Sequence, residues 1–351
     1  MSSMTVSNAY NRPDQLSAAL RERIFETAER LGYAGPDPVA RSLRRQKTNV
    51  AGILYSNPLS YAFDDPAQVL FLKGLAAVTE AAGLGLLLVP GTVGSSPGER
   101  ASAAGEAAVD GFVVYSMADD DPLVGAALRR RLPAVTVDQP IRESVPFVGI
   151  DDEAAARVAA EHLVSLGHER YGVVSFGLGD DGHTGIADAA RQRSATYRVT
   201  RSRLEGYAAA LSGAGLSWDD VPVYECPGST TALGRSAAHA LLASDPRPTA
   251  VLATSDQLAL GAIEAARQRG LSVPDDVSVA GFDDVPPAAT ATPALTTVRQ
   301  NHAEKGLLAG RLLVARLRGE EATAPDLLPT RLMVRGSTGR APKGRPNHRR
   351  E

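Results

Sequence analysis

Residues 38–54, PVARSLRRQKTNVAGIL, join a short basic segment to a run of apolar residues. The basic part carries three arginines and one lysine, and the apolar part opens a long series of short apolar runs that alternate with helical patterns. This order predicts a small head that contacts nucleic acid through its cations, attached to a larger body that binds a ligand.

The body reads as alternating strands and helices. Its apolar runs predict eight strands: VAGILY (50–55), LGLLLV (84–89), GFVVY (111–115), PAVTV (133–137), YGVVSF (171–176), VPVYE (221–225), AVLAT (250–254) and VSVAGF (277–282). Helical patterns occur around 67–82, 98–108, 122–131, 203–214, 230–243 and 256–269. This succession predicts an α/β fold in which right-handed crossovers join parallel strands. The segment 147–168 divides the series into two halves.

The residues before the basic segment predict two helices. MTVSNAYN (4–11) reads as a short helix, and ALRERIFETAERLGY (19–33) reads as a second helix that ends at Gly32 after a polar turn. The second helix places an apolar stripe at three- and four-residue spacings, formed by Leu20, Ile24, Phe25, Ala28 and Leu31. A lone helix cannot bury such a stripe, so the pattern requires a packing partner.

Taken together, these segments resemble the LacI/GalR family of bacterial transcription regulators, and the resemblance covers nearly the whole chain. Its most specific part is TSDQLALGAIEAARQRGLSVPDDVSVAGFDD (254–284), followed by PALTTVRQ (293–300). The resemblance implies a type I periplasmic-binding-protein-like core of two Rossmann-like subdomains, preceded by a helix-turn-helix headpiece and a hinge helix. It also implies a homodimer on double-stranded DNA with a palindromic operator.

The resemblance implies that the short first helix is the recognition helix. Its family pattern, TVS-xxx-N, falls on Thr5, Val6, Ser7 and Asn11. By family position, Thr5 and Ser7 contact phosphate oxygens. The residues that would face base edges are Ser3, Met4 and Asn8.

The basic segment resembles the hinge helix of the family. Ala40 and Leu43 occupy the Ala-x-x-Leu positions, which implies that Leu43 enters a base step of the minor groove. Arg41 and the neighbouring cations would contact phosphates. An ordinary basic linker is the alternative interpretation.

Only four residues precede Thr5, whereas the resemblance implies a further helix and a turn before it. We therefore expect that the sequence starts too late and that its helix-turn-helix is incomplete. The alternative is a regulator that has lost its DNA-binding head, and the retained hinge motif argues against it.

The predicted ligand site lies at the carboxyl ends of the strands, where open parallel sheets bind ligands. Polar residues stand at several of these ends: Ser56, Ser116, Asp138, Ser255 and Asp283. Such carboxylates and hydroxyls suit hydrogen bonds to a polyhydroxylated ligand. The resemblance implies that Arg203, in RLEGY, clamps the effector, because a guanidinium is a fixed fork of donors.

Family members that bind sugars commonly carry an aromatic residue that stacks on the ligand, and Ser229 is the nearest match to that position here. The aromatic residues available for stacking instead are Tyr61 and Phe63, in the loop after the first core strand. The polar stretch 177–200 is predicted to be a loop that borders the cleft.

The predicted domains are a partial headpiece at 1–34, a hinge helix and linker at 35–48, a core at 49–336 and a disordered basic tail at 337–351. Within the core, the first subdomain takes about 49–166 and 302–329, and the second about 167–298 and 330–336. Residues 1–48 hold eight Lys/Arg against five Asp/Glu, and residues 340–351 hold five against one, so with a total of −3 the intervening body carries −10. An acidic body repels DNA and confines contact to the head and hinge.

Composition excludes several classes of protein. No apolar run reaches about 18 residues, and no export signal precedes the body, which predicts a cytoplasmic protein. The single cysteine, Cys226, excludes an internal disulfide and is predicted to be buried. Six scattered histidines without metal-like spacing predict no metal site. We also predict no cofactor and no enzymatic activity, because the first strand lacks the glycine fingerprint of a nucleotide-dependent dehydrogenase.

The favoured function is a transcription regulator, in most relatives a repressor, whose operator affinity is controlled by a small metabolite such as a sugar. A nucleoside or another small metabolite is left open as the effector, as is the direction of the response. The alternative function is a solute-binding protein of the same fold without DNA binding. Such a protein would need an export signal and would have no use for residues 1–48.

Overall fold

The computed structural model describes residues 2–33, 35, 47–56, 58–91, 96–321 and 327–342. The chain forms two compact units, residues 1–49 and residues 50–351. No helix of the described residues is both long and apolar enough to cross a membrane.

The N-terminal unit contains the two predicted helices. Helix α1 spans Ser3–Asn11, a 3-10 turn follows at Pro13–Gln15, and helix α2 spans Ala18–Arg30. Each helix starts where a serine side chain caps a backbone N–H group, Ser2 at Thr5 and Ser17 at Leu20. The chain leaves α2 through Gly32, whose φ of +66° suits glycine. The predicted short helix, polar turn and second helix are confirmed.

The predicted apolar stripe of α2 is only partly buried. Ile24 and Ala28 are buried, whereas Phe25 is 39% exposed and Leu31 is 73% exposed. Tyr10 of α1 meets the ring of Phe25 edge-on at a centroid distance of 5.0 Å. Helix α1, with nine residues, is therefore a partner for only part of the stripe.

The second unit has two lobes, each built on a largely parallel sheet, as the alternating pattern predicts. The first sheet has the order β2-β1-β3-β4-β5, with strands β1 Val50–Tyr55, β2 Gly85–Pro90, β3 Gly111–Tyr115, β4 Ala134–Val137 and β5 Phe147–Val148. The helices between its strands are α3 Leu59–Asp64, α4 Pro66–Ala81, α5 Pro97–Glu106 and α6 Pro122–Arg129.

The second sheet has the order β12-β11-β10-β9-β6-β8-β7. Its strands are β6 Tyr171–Ser175, β7 Gly185–Ile186, β8 Val223–Glu225, β9 Ala250–Ala253, β10 Ser278–Asp283, β11 Thr296–Arg299 and β12 Arg331–Met333, and only the edge strands β7 and β12 run antiparallel. The remaining helices are α7 Asp152–Ser165, α8 Ala189–Arg193, α9 Arg198–Gly213, α10 Thr231–Leu241, α11 Asp256–Gln268, α12 Pro286–Thr290 and α13 His302–Leu317. The α/β class with two lobes is confirmed.

The chain crosses between the lobes near residues 149–151, 300–301 and 327–330. Helix α13 completes the first lobe, since Gly306 lets it approach α4 so closely that a Cβ would lie 2.1 Å from the Phe71 carbonyl oxygen. Helix α7, assigned above to the first subdomain, instead packs against α9 and the second sheet. The predicted boundary at 166 is wrong, because the alanines of α7 form the face that α9 covers.

The predicted disordered tail begins too early. Ser337 is buried, accepts from the Thr296 amide at 2.8 Å and donates to the Val279 carbonyl at 2.6 Å. The Ala341 amide donates to the Leu166 carbonyl at 2.9 Å. Residues 337–342 therefore belong to the second lobe, because their backbone groups find partners there, and residues 343–351 lie outside the described part.

Candidate functional site

A cavity of about 390 Å³ lies between the lobes, where the strands of both sheets end. Eight of the nine predicted effector residues line it: Ser56, Tyr61, Ser116, Asp138, Arg203, Ser229, Ser255 and Asp283. The exception is Phe63, which is 62% exposed on α3 and absent from the lining. The structure thus brings together residues that lie far apart in the sequence, as the position of ligand sites in open parallel sheets predicts.

Several strand ends at the cavity hold strained backbone. Ser116 follows β3 with φ +49°, Asp138 follows β4 with φ +61°, and Asp283 ends β10 with φ +121°. Left-handed backbone is unfavourable for residues other than glycine, and such residues concentrate at functional sites. All three strained residues line the cavity.

Arg203 on α9 is held from several sides and is only 5% exposed. Its Nε lies 2.9 Å from Asp152 Oδ1, and its Nη1 donates to the Thr254 carbonyl at 2.6 Å. The guanidinium lies over the Phe282 ring, 3.7 Å from the centroid. Although burial opposes the charge, Asp152 and Asp283 raise the pKa of Arg203 above its ordinary value. The guanidinium is therefore a fixed cation at the base of the cleft.

Asp283 lies at the centre of a second network. Its Oδ1 accepts from Gln300 Nε2 at 2.6 Å and lies 3.4 Å from His302 Nε2 and 3.9 Å from Arg203 Nη1. Burial alone would raise its pKa, but the hydrogen bonds and charges of these three neighbours lower it below the ordinary value. Asp283 thus carries a negative charge in the cleft at neutral pH.

On the first lobe, Asp138 is paired with a buried lysine. The Nζ of Lys305, which is 0% exposed, donates to Asp138 Oδ1 and to Gln300 Oε1. Since Gln300 also donates to Asp283, one continuous network joins carboxylates of both lobes through the crossing at 300–301.

The hydroxyl of Tyr61, which lines the cavity, bonds to the opposite lobe. Its hydroxyl donates to the Ser229 carbonyl at 3.0 Å and accepts from the Ser229 amide at 3.0 Å. Ser229 Oγ in turn lies 2.5 Å from Ser255 Oγ. The aromatic residue predicted to stack on a ligand therefore forms a clasp that connects α3 of the first lobe with the loop before α10 of the second.

A second hydrogen bond also connects the two lobes at the cavity. The Val199 amide donates to Gln139 Oε1 at 2.9 Å. The predicted polar loop 177–200 contains two elements that the pattern did not indicate, β7 and α8, and residues 177, 179–182, 197 and 199 line the cavity. Arg191 of this segment pairs with the buried Glu225 and with Asp181, whose pKa falls to about 2, mainly through the hydrogen bonds from Arg191.

Several residues of the cavity were not predicted from the sequence: Tyr55, Asp65, Gln68, Gln300 and His302. Asp65 caps α4 by accepting from the Ala67 amide at 3.0 Å, and burial together with the charge of Asp283 raises its pKa to about 6. In the sequence, an Asp before a proline indicates the start of a helix. That signal explains the residue locally and does not show that its carboxylate also faces a cleft. Gln300 is the last residue of the segment PALTTVRQ, so the family resemblance of that segment could have indicated it as a site residue.

Some buried polar atoms of the cavity lack a protein partner. Among the described residues these include the Tyr55 hydroxyl, Gln68 Oε1 and His302 Nδ1. All three residues are more than nine-tenths buried and line the cavity. Buried polar groups normally find partners, so these atoms are suited to hydrogen bonds with a bound molecule.

The predicted DNA-contacting residues of the head lie on α1. Met4 is exposed, Thr5 Oγ1 lies 2.8 Å from Ser2 Oγ, and Asn8 Nδ2 donates to Gln15 Oε1 at 3.3 Å. Ser7 is half-buried, and Ser3 and Asn11 are the end residues of the helix, with side chains outside the described set. The hinge residues Ala40, Arg41 and Leu43 lie outside the described residues.

Cys226 and His168 are both buried in the second lobe. Cys226 is buried next to β8, as predicted, and burial raises the pKa of its thiol to about 12. His168 is buried between Thr249, Ser278 and the Gly339 carbonyl, at 3.0, 3.1 and 3.0 Å. Burial lowers the pKa of His168 below its ordinary value, so the ring is neutral at pH 7.

Comparison with known proteins supplies the family. Residues 160–338 match the model of a periplasmic binding protein-like domain. The HTH-type transcriptional regulator Rv3575c of Mycobacterium tuberculosis is 47% identical over 350 residues, which cover 97% of this chain and 94% of that protein. A crystal structure of a LacI family transcriptional regulator from Corynebacterium glutamicum is 36% identical, with a TM-score of 0.77 and coverage of 97% of this chain and 96% of that chain. The complex of the transcriptional regulator CelR with cellobiose is 29% identical, with a TM-score of 0.69 and coverage of 94% of each chain.

The chain has a helical head followed by a two-lobed α/β body with a polar cleft. This combination is typical of ligand-responsive regulators. The chain belongs to the LacI family of helix-turn-helix transcriptional regulators. The family and the fold class predicted from the sequence are confirmed. The relatives are transcriptional regulators, in agreement with the predicted function of a DNA-binding regulator.

Proposed function

We propose that this protein is a cytoplasmic repressor that binds a palindromic operator as a homodimer and releases it when a small polyhydroxylated metabolite, a sugar, occupies the cleft. The observation that carries the proposal is the cavity between the lobes, lined by residues that the family resemblance assigns to the effector. The CelR relative was solved with cellobiose, which supports a sugar as the class of ligand.

The chemistry of the cleft suits such a ligand. Ionised carboxylates only accept hydrogen bonds, and each hydroxyl of a sugar can donate one and accept others. Asp283 and Asp138 provide acceptors on opposite lobes, and the serine hydroxyls at the strand ends provide groups of either kind. A ligand with several adjacent hydroxyls can therefore bridge the two lobes.

We propose that bridging controls DNA binding through the angle between the lobes. The clasp of Tyr61 with Ser229 and the bond of Val199 with Gln139 connect the lobes in the arrangement described here. A ligand that contacts both lobes stabilises such a closed arrangement, and it shifts operator affinity only by its differential affinity for the two states. The hinge segment 35–48 would carry this change to the head.

A binding experiment tests the proposal. An operator is selected from random duplex DNA with the purified protein, and its affinity is measured at fixed salt with and without cellobiose and a library of free sugars. We expect one sugar to weaken operator binding at least tenfold. The Arg203→Ala variant should keep operator binding and lose the sugar response.

The same titration separates the alternative function. A solute-binding protein of this fold would bind a sugar in a thermal-shift assay and would select no DNA sequence. Sugar binding with operator affinity unchanged would contradict a regulator controlled through the cleft. Operator release by a sugar that also acts fully on Arg203→Ala would place the effector elsewhere.

A further inference from the structure

The lining of the cleft is acidic. Among the described residues that border the cavity there are five aspartates and one arginine: Asp65, Asp138, Asp180, Asp181, Asp283 and Arg203. Negative charges on low-dielectric walls concentrate the field in a cleft and repel an anionic ligand. The balance of charge therefore bears on which metabolites can enter.

The cations near the cavity are already engaged with carboxylates of the protein. Arg203 is paired with Asp152 and lies close to Asp283, and the buried Lys305 is paired with Asp138. Arg191, at the rim, is paired with Asp181 and Glu225. A phosphate or carboxylate ligand in the cleft would have to share a cation with a carboxylate of the protein. That protein carboxylate would then lose part of the electrostatic stabilisation that the cation provides.

Asp65 is half-buried and differs from the buried carboxylates Asp138 and Asp283 of the cleft. Its carboxylate accepts hydrogen bonds from two neutral groups, the Ala67 amide at 3.0 Å and Gln68 Nε2 at 3.4 Å. Of the charged groups that act on it, Asp283 of the opposite lobe raises its pKa and His302 lowers it to a smaller extent. Asp65 of the first lobe and Asp283 of the second lobe thus line the same cavity. Groups that donate hydrogen bonds to both carboxylates relieve the repulsion between them.

We propose that the cleft selects an uncharged polyol or sugar, whose hydroxyls donate to Asp65 and Asp283 across the lobes, and that it rejects the phosphate ester or the acid of the same molecule. Asp65 is the residue that enforces this discrimination. The inference rests on the proposed function and adds the charge class of the effector.

The unpartnered polar atoms of the cavity agree with such a ligand. Gln68 Oε1 accepts only, and the Tyr55 hydroxyl can donate or accept. Both residues lie on the same lobe as Asp65 and both border the cavity. A neutral hydroxyl matches either atom, whereas a phosphate group faces an acceptor at Gln68 and a negative charge at Asp65.

Calorimetric titration with matched pairs of ligands tests the inference. Free sugars and sugar alcohols are compared with their own phosphate esters and sugar acids, beginning with glucose, glucose 6-phosphate and gluconate, ribose and ribose 5-phosphate, and cellobiose. The proteins are the wild type, Asp65→Asn and the matched control Asp64→Asn, which removes a neighbouring exposed carboxylate outside the cavity lining. Asparagine retains the helix cap at position 65, and circular dichroism verifies the fold of each variant.

In the wild type we expect a neutral member of the panel to bind and its charged counterpart to bind at least tenfold more weakly. Asp65→Asn should narrow this ratio about tenfold, chiefly by strengthening binding of the anion, and Asp64→Asn should leave the ratio unchanged. The neutral ligand should also change operator affinity.

Three outcomes overturn the inference in distinguishable ways. Equal or tighter binding of the phosphate ester by the wild type refutes the charge selection, while the cleft remains the effector site. A ratio that stays constant in Asp65→Asn refutes the role of Asp65. If no sugar binds and none changes operator affinity, the proposed function fails and the inference fails with it.

Discussion

The two faces of the cleft are built differently. On the second lobe, Arg203 is fixed by Asp152, Thr254 and Phe282, so this face holds its geometry without a ligand. The first lobe presents the Tyr55 hydroxyl and Gln68 Oε1, which have no hydrogen-bond partner among the residues that the structure describes. The difference suggests that the second lobe is a preorganised platform, whereas the first lobe depends on the ligand to complete its hydrogen bonds.

Removing the cation of the platform should have the largest effect. Arg203→Ala leaves Asp152 buried without its partner, and breaking a buried pair in this way costs about 3 to 5 kcal/mol of unfolding free energy. Ligand binding should be lost as well. Denaturant unfolding and thermal shift measure the two effects. The control is Arg201→Ala on the same helix, whose side chain is 42% exposed, and it should cost less than about 1 kcal/mol. Equal destabilisation by both variants would show that the platform is not preorganised by this pair.

The buried pair of the first lobe offers the corresponding test. Lys305→Met should destabilise the protein by about 3 kcal/mol, because Asp138 and Gln300 Oε1 lose their shared donor. In the double variant Lys305→Met with Asp138→Asn, at least half of this loss should return, since no uncompensated buried charge is left. Unfolding free energies of the wild type, both single variants and the double variant complete the cycle. Additive losses would mean that the pair is not coupled.

Much of the platform could be predicted from the sequence, and much of the first-lobe face could not. Arg203 and Asp283 of the second lobe lie within recognisable segments. On the first lobe, only strand ends such as Ser116 and Asp138 could be predicted, because they follow directly from apolar runs. Asp65 and His302 stand at helix starts, where the local pattern already accounts for a polar residue. Only the packing of α13 against α4 brings both to the cleft, and no local signal carries that information.

The assignment of α7 to the wrong lobe has a similar cause. Its alanine-rich pattern predicts a helix with a buried face but does not identify the surface that it covers. The partner is α9, from which it is separated by several elements in the sequence. Periodicity identifies helices, and the pairing of distant helices depends on close contacts such as that of Gly206 with the Glu153 carbonyl, where a Cβ would lie at 2.2 Å.

Asp65→Asn should stabilise the protein while it alters ligand selection. The pKa of Asp65 rises from its ordinary value to about 6, so the folded state retains a proton that the unfolded state releases between about pH 4 and 6. Stability contributed by this group is present below pH 4 and is lost as the pH rises through 6. At pH 8 the variant should therefore be more stable than the wild type by about 1 to 3 kcal/mol, and at pH 4 the difference should vanish. Asp283 and His302 also act on the carboxylate of Asp65. The quantity to compare is therefore the difference in unfolding free energy between the wild type and Asp65→Asn at each pH. A constant difference across this pH range would contradict the burial of an uncompensated carboxylate on this face.

The smallest expected effect concerns the clasp between the two faces. Tyr61→Phe keeps the ring and removes a hydroxyl that makes two hydrogen bonds to the backbone of Ser229. Each such bond contributes about 0.5 to 1.5 kcal/mol, so the closed arrangement should lose about 1 to 3 kcal/mol relative to the open one. Because the clasp connects the lobes, the loss should appear as about tenfold weaker effector binding and a matching shift in the concentration that releases the operator. Operator affinity without effector should stay within twofold if the open arrangement is the one that binds DNA. The matched control is Phe63→Leu on the same helix, whose exposed ring is outside the cavity and should leave effector binding unchanged. If Tyr61→Phe binds the effector as tightly as the wild type, the two faces close without the clasp, and the ligand alone holds the lobes together.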